Sequence, residues 1–132
     1  MKAFLSIFVA LTTVIAANAG SGKSSKYADI PHDSLKQAIA DGAVTLIDVN
    51  STRSYKNGHI PGAVSFQAHK ADFIAVLPAD KDALVVAYCA NTHCGAYQRA
   101  AKLAVDLGYT NVAHYSRGIE GWKEAGESVE EG

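Results

Sequence analysis

The sequence predicts an α/β domain with a largely parallel, buried sheet, and three observations lead to that fold class. Strand and helix signals alternate along the chain, as crossover units between parallel strands require. The strand segments are short, apolar and rich in β-branched residues, as expected for a sheet covered on both faces. The length of 132 residues, with 48% hydrophobic and 19% charged residues, fits one ordinary globular domain.

The composition also excludes several classes of protein. Twelve Lys and Arg residues stand against 13 Asp and Glu residues, so the net charge of −1 offers no basic surface for nucleic acid. Two cysteines are too few for a disulfide-stapled miniprotein. With 3 proline and 11 glycine residues, the chain is neither collagen-like nor a proline-rich linker.

Residues 1–19 follow the three-part plan of a secretory signal peptide. Lys2 supplies the positive charge, Ala3–Ala16 is uncharged and mostly apolar, and Ala17-Asn18-Ala19 places small residues before the cleavage point. A membrane anchor fits less well, because a spanning helix needs about 20 apolar residues. An amphipathic first helix also fits less well, since the run has no polar face. We therefore expect cleavage after Ala19, export to the periplasm, and no stable membrane association of the mature chain.

A flexible leader of Gly, Ser and Lys at residues 20–26 precedes the folded domain, which we place at 27–127. In the first half of that domain, Ser34–Asp41 has apolar residues at helical spacing before Gly42, which predicts a helix with a glycine cap. The run Val44–Val49 is β-branched and apolar and predicts a buried strand. The other elements predicted in this half are a helical turn or two at Ser51–Asn57, a strand at Ala63–Phe66, and a helix at Lys70–Leu77 that Pro78 ends.

The second half contains the most hydrophobic strand of the mature chain, Ala83–Tyr88, which runs directly into Cys89. A helix follows at Ala96–Leu107, where four apolar residues share one face and Gly108 ends the pattern. The remaining predictions are a strand at Asn111–Tyr115, a helix at Gly118–Ala125 that carries Trp122, and a solvated acidic tail at 128–132.

The loop after the most hydrophobic strand holds the candidate nucleophile, Cys89. Ligands of open parallel sheets bind beyond the carboxyl ends of the strands. The loop also leads to a helix N-terminus, whose free N–H groups and dipole favour a thiolate, so we expect the pKa of Cys89 to be lowered. The same groups would hold an anionic substrate. The residues expected to bind that substrate are Ala90, Asn91, Thr92, His93, Cys94 and Gly95 of the loop, together with Arg117 after the last strand.

A set of short motifs runs through the domain in a fixed order. They are Asp48-Val49, Tyr55, Gly58-His59-Ile60-Pro61-Gly62-Ala63, Tyr88-Cys89, Ala100-Ala101, Leu107-Gly108-Tyr109, Asn111-Val112, Gly118-Ile119 and Trp122. In this order and spacing the chain resembles the rhodanese-like (sulfurtransferase) family over nearly the whole mature chain. The resemblance implies a five-stranded parallel sheet with helices on both faces. It also implies an enzyme of the thiosulfate sulfurtransferase class, which needs no cofactor. Such an enzyme moves sulfane sulfur from thiosulfate or polysulfide to cyanide or a thiol through a persulfide, here on Cys89.

Several positions depart from the family pattern. The cysteine loop is longer than the common one and has a C-x4-C spacing. Asn50 and Ser54 stand where the family usually has Arg and Glu, and the joint loss of that ion pair indicates a structural replacement. A longer loop is also typical of the phosphatase branch of this fold, but that branch has Arg where this chain has Gly95. A phosphoryl group would therefore meet no guanidinium, and we exclude a phosphatase.

Other motif residues are predicted to be structural. His59 is expected to fix its own turn by hydrogen bonding. Asp48 is expected to orient a neighbouring loop, and contact with substrate is the alternative. Core positions are expected for Tyr115 and Trp122.

Cys94 leaves further hypotheses open. It is a candidate resolving thiol, a candidate disulfide partner of Cys89, or a passive loop residue. With Cys89 and His93 it also offers two thiols and an imidazole to copper or zinc. The candidate fourth ligands for such a metal are His59, His69 and His114. A third class of function is a non-catalytic domain that presents sulfur or binds a partner.

Overall fold

A computed structural model describes residues 26–132. The predicted signal peptide and the predicted leader up to residue 25 lie outside the described residues. The strands are β1 (Ala28–Asp29), β2 (Thr45–Asp48), β3 (Val64–Ser65), β4 (Val85–Tyr88) and β5 (Val112–Tyr115). They form one sheet in the order β1-β5-β4-β2-β3, and every pairing is parallel. The predicted α/β class and the five-stranded parallel sheet are confirmed.

Helices cover both faces of this sheet, as crossover connections demand. They are α1 (His32–Ala40), α2 (Thr52–Asn57), α3 (Phe66–His69), a 3₁₀ helix (Lys70–Val76), α4 (Tyr97–Asp106) and α5 (Gly118–Glu124). Within the described residues, no helix is long and apolar enough to span a bilayer.

Alternation along β4 divides the core into two clusters, because successive side chains of a strand point to opposite faces. Val85 and Ala87 pack with α4 and the 3₁₀ helix. Val86 and Tyr88 pack with α1 and α5. The next residue, Cys89, continues the first set and belongs to the cluster on the α4 side. The fold therefore turns this thiol toward α4 rather than toward α5.

Two elements differ from the sequence prediction. No strand signal pointed to β1, since its two residues are exposed and it pairs only with β5. The helix predicted at Lys70–Leu77 is present over Lys70–Val76, but it is a 3₁₀ helix with a non-helical Asp72 rather than a regular α-helix. Phe73 is buried there but Ile74 is half exposed, so the two do not share the face that helical spacing suggested. Leu77 is extended, as a residue before proline prefers.

A buried polar network ties the centre of the sheet to the turn at Gly58–Ala63. The Tyr88 hydroxyl donates to Asp48 at 2.7 Å and accepts from the Ile60 N–H at 3.0 Å. Asp48 has no exposed surface and also accepts from the Asn50 N–H at 2.8 Å. Burial raises the pKa of Asp48, because the hydrogen bonds offset only part of the lost hydration. The predicted role of Asp48 in orienting a neighbouring loop is confirmed.

The same turn is fixed from outside by His59 and the C-terminal segment. His59 stacks on Tyr55 with ring centroids 3.8 Å apart and donates from Nδ1 to the Tyr55 carbonyl. Its backbone exchanges two hydrogen bonds of 2.9 Å with Glu130. The predicted structural role of His59 is therefore confirmed. The other residues of the acidic tail are exposed as predicted, but Val129 packs against the core and the tail backbone is hydrogen bonded to the domain.

Replacing Tyr88 by Phe should lower the free energy of unfolding by about 1–3 kcal/mol, because Asp48 and the Ile60 N–H lose a buried partner. Urea denaturation measures the change. The control is Tyr55→Phe, whose hydroxyl bonds the Ala63 carbonyl at 2.7 Å from a half-buried position. This control should lose less stability, and equal losses would contradict a dominant buried network.

Candidate functional site

Cys89 lies immediately after the last residue of β4, at the carboxyl edge of the sheet, where the sequence placed it. Its side chain is 2% exposed and packs in the cluster on the α4 side. The sulfur accepts a hydrogen bond from the Tyr97 N–H at 3.1 Å and another from the Ala96 N–H. The thiol is thus seated on the first turn of α4, as the argument from helix termini predicts.

Asn91 organises the loop between the two cysteines. Its side-chain oxygen accepts from the His93 N–H at 3.0 Å, and its carbonyl accepts from the Cys94 N–H at 3.2 Å. Its amide donates to Glu120 at 3.1 Å. The His93 and Cys94 N–H groups, which were predicted to bind substrate, are therefore bonded inside the loop. The N–H groups that donate to Sγ of Cys89 belong to Ala96 and Tyr97.

The first turn of α5 holds the backbone on the other side of the cysteine. The Ile119 N–H donates to the Cys89 carbonyl at 3.0 Å, and the Glu120 N–H donates to the Ala90 carbonyl at 2.9 Å. This approach leaves no space at Gly118, where a Cβ would lie 2.5 Å from the Cys89 carbonyl oxygen. Gly118 also has a φ of +62°, which favours glycine. Only glycine allows α5 to come this close.

A cavity of about 240 Å³ lies beside the loop. Its lining residues are Asn91, Thr92, His93, Arg117, Glu120, Gly121 and Glu124. Four of the predicted binding residues are brought together there, whereas Ala90, Cys94 and Gly95 do not line it and neither does Cys89. Glu120 and Glu124 were not among the residues predicted from the sequence. The i, i+4 spacing of Glu120 and Glu124, after Arg117, was the available signal that they share a helix face.

The pKa of Cys89 is raised to about 12, chiefly because burial disfavours the thiolate. A hydrogen-bonding and an electrostatic interaction with Cys94 raise the pKa further, while the Tyr97 and Ala96 N–H groups lower it. The expectation of a lowered pKa is wrong for this conformation, since desolvation outweighs two N–H donors. The folded chain binds this proton more tightly than the unfolded chain. The protonated Cys89 therefore stabilises the folded chain fully below pH 9, and this stabilisation is lost as the pH rises toward about 12.

Cys94 is half buried and packs against the cluster that contains Cys89. Both cysteines are free thiols. Within residues 26–132, no group of three or more His, Cys, Asp or Glu side chains is arranged to hold a metal ion. Of the histidines considered as a fourth ligand, His59 bonds Tyr55, and His69 ends α3 on another part of the sheet edge.

His114 lies behind the cysteine loop, in register with Ala87 of β4. Its ring stacks on Tyr97 with centroids 4.3 Å apart, and neither ring nitrogen has a hydrogen-bond partner among the described residues. Burial lowers the pKa of His114, which favours the neutral imidazole. The His114 ring thus packs against Tyr97, whose N–H donates to Sγ of Cys89. The sequence named His114 only as a metal ligand, because this contact depends on how α4 packs.

Comparisons with known proteins agree with this geometry. The family model described as "Rhodanese-like domain" matches residues 31–125. The HTH-type transcriptional regulator Rv0324 of Mycobacterium tuberculosis is 40% identical over 92 residues, which are 69% of this chain but only 39% of that protein's length. Thiosulfate sulfurtransferase GlpE of Pseudomonas entomophila is 37% identical over 94 residues, covering 68% of this chain and 82% of the relative. A rhodanese-related protein from Thermoplasma volcanium has the same fold, with a TM-score of 0.62, 23% identity, and coverage of 79% and 98% of the two chains.

Replacing Gly118 by Ala should destabilise the chain and displace the Cys89 backbone, because the added Cβ meets two carbonyl groups. The matched control is Gly126→Ala. Gly126 has a φ of +81° but open space around it, so this change adds only the backbone strain, of about 1–2 kcal/mol. Urea denaturation should show a larger loss for Gly118→Ala than for the control. Equal losses would mean that the approach of α5 is not tight.

Alkylation of Cys89 by neutral iodoacetamide should accelerate with pH without a plateau at neutral pH, since only the thiolate reacts and the pKa is about 12. Cys94→Ala should speed the reaction at a fixed, mildly alkaline pH, because the neighbouring thiol raises the pKa of Cys89. Peptide mass mapping measures the rate at each cysteine. A plateau near neutrality would show that the thiol is already ionised there.

Proposed function

Because this chain belongs to the rhodanese-like domain family, we propose that it is a sulfurtransferase with Cys89 as its nucleophile. The observation that carries the proposal is the position of this thiol. It follows the central strand directly, and the N–H groups of Ala96 and Tyr97 hold its sulfur. A negative charge on that sulfur, or on a second sulfur attached to it, is favoured by these donors. The relatives named thiosulfate sulfurtransferase support the same reaction class.

In the first half-reaction, the Cys89 thiolate attacks the outer sulfur of thiosulfate. The bond between the two sulfur atoms of thiosulfate breaks, sulfite leaves with the electron pair, and a persulfide remains on Cys89. In the second half-reaction, cyanide or a thiolate attacks the outer sulfur of the persulfide and restores the Cys89 thiolate. A polysulfide serves as donor in the same way, with a shorter polysulfide as the leaving group.

The burial of Sγ sets the order of events. At 2% exposure and with a pKa of about 12, the resting thiol is neutral and out of reach of a dissolved anion. Uptake of sulfur therefore requires the loop to move and Cys89 to lose its proton. Asn91 closes that loop through single hydrogen bonds, each worth about 1 kcal/mol, so an opening of this size is accessible at ordinary temperature.

Cys89→Ser should abolish formation of thiocyanate from thiosulfate and cyanide, because an alcohol cannot carry the sulfur. The variant should keep its stability, since serine is close to cysteine in size. Turnover is measured by the colour of the ferric thiocyanate complex, and stability by urea denaturation. Activity of Cys89→Ser at the level of the native chain would overturn the proposal.

Arg117 supplies a positive charge to the cavity beside the loop, which Glu120 and Glu124 also line. We expect it to bind the sulfonate end of thiosulfate. Arg117→Gln should therefore raise KM for thiosulfate, while KM for cyanide changes little. The matched control is Arg99→Gln, an exposed arginine on α4 outside the cavity. Equal KM values for Arg117→Gln and Arg99→Gln would exclude this role.

A second candidate function is a domain that presents sulfur without turning over. One observation favours it: this chain is 40% identical to a region of a transcriptional regulator, and that region makes up 39% of the regulator's length. The two functions differ in stoichiometry. A sulfurtransferase produces many thiocyanate ions per chain, whereas a presenting domain stops after one sulfur atom per chain.

A further inference from the structure

We infer that Cys94 is the intramolecular acceptor for the sulfur-loaded Cys89, so that the chain releases sulfide and forms a Cys89–Cys94 disulfide. This inference rests on the proposed function, since it begins from the persulfide of Cys89. It adds a reduction to the transfer, in which the bound sulfur atom leaves as hydrosulfide rather than passing to an external nucleophile.

The packing of the loop places the two thiols together. Cys94 packs against the same hydrophobic cluster that contains Cys89, and it is close enough to raise the pKa of the Cys89 thiol. The turn at Asn91 folds the chain back between them, through the bonds from the His93 and Cys94 N–H groups. Both thiols are free, so the pair is in its reduced state.

Access favours Cys94 over an external acceptor. Sγ of Cys89 is buried, at 2% exposure, so a dissolved nucleophile reaches this inner sulfur only when the loop opens, as the donor does. Cys94 packs against the cluster that contains Cys89, and its own side chain is partly exposed, so it can exchange its proton with water. Holding a nucleophile beside its target replaces a bimolecular encounter by an intramolecular one, which gains several orders of magnitude in rate for well-oriented groups.

The chemical step balances within the chain. The Cys94 sulfur attacks the inner sulfur, Sγ of Cys89. A bond forms between the two cysteine sulfurs, and the bond from Sγ to the outer sulfur breaks. The outer sulfur leaves with the electron pair, takes the proton of the Cys94 thiol, and departs as hydrosulfide. The two cysteines are oxidised to a disulfide while the transferred sulfur is reduced to sulfide. An external thiol reductant then restores both cysteines by thiol–disulfide exchange.

The test uses the full chain, reduced and freed of reductant, and exposed to one equivalent of thiosulfate without an acceptor. Intact mass and trapped sulfide are followed together. The native chain should first gain one sulfur atom. It should then fall to two hydrogen atoms below the reduced mass as one sulfide per chain appears. Cys94→Ser should stop at the sulfur-loaded mass and release no sulfide. The matched control is Val105→Ser, an exposed position on α4, which should behave as the native chain does.

The outcomes separate this inference from the proposed function. A native chain that keeps the added sulfur and releases no sulfide overturns the inference while the sulfurtransferase proposal stands. Sulfide release by Cys94→Ser at the native rate also overturns it, because another group would then be the acceptor. A native chain that gains no sulfur from thiosulfate or polysulfide overturns both.

Discussion

The site depends on one close contact, in which the first turn of α5 binds the backbone of Cys89 and Ala90. Two hydrogen bonds of 3.0 and 2.9 Å fix both carbonyl groups, and Gly118 permits the approach because a Cβ there would overlap them. With its carbonyl group fixed in this way, Cys89 turns its side chain toward α4. The thiol therefore meets the N–H groups of α4 on one side and the apolar cluster on the other.

These surroundings act on the sulfur in opposite directions. The N–H donors favour a thiolate, burial and the Cys94 thiol favour the protonated form, and the pKa of about 12 shows that the second pair prevails. A buried, protonated cysteine is protected from unspecific oxidation and alkylation. The protection ends only when the loop opens. The polar turn at Asn91 is weaker than the contacts that anchor Cys89 to α5, because its side chain is partly solvated and its bonds lie at the surface. Reactivity is thus controlled by the loop, while the anchored backbone keeps the position of the sulfur.

The main features of this arrangement could be predicted from the sequence, since they follow from local patterns. The apolar run before Cys89 identified the central strand and placed the thiol at the carboxyl edge of a parallel sheet. Features that depend on packing between distant segments could not be predicted. The strand β1 has two exposed residues and no hydrophobic signal. The direction of the pKa shift depends on how deeply α4 covers the sulfur, and the stacking of His114 on Tyr97 depends on the same packing. The acidic side of the cavity follows from the direction of α5, which the helical pattern alone does not give.

The proposed reaction requires that Cys89, rather than the second cysteine of the loop, carries the transferred sulfur. Trypsin should release both cysteines in one peptide, Asp82–Arg99, so fragmentation of the chain between them assigns an added sulfur to one or the other. The most direct measurement is tandem mass spectrometry of this peptide, from the native chain quenched with an alkylating agent soon after exposure to thiosulfate. We expect an alkylated persulfide on Cys89 and a singly alkylated thiol on Cys94. An added sulfur on Cys94, with Cys89 unmodified, would show that Cys89 does not carry the sulfur.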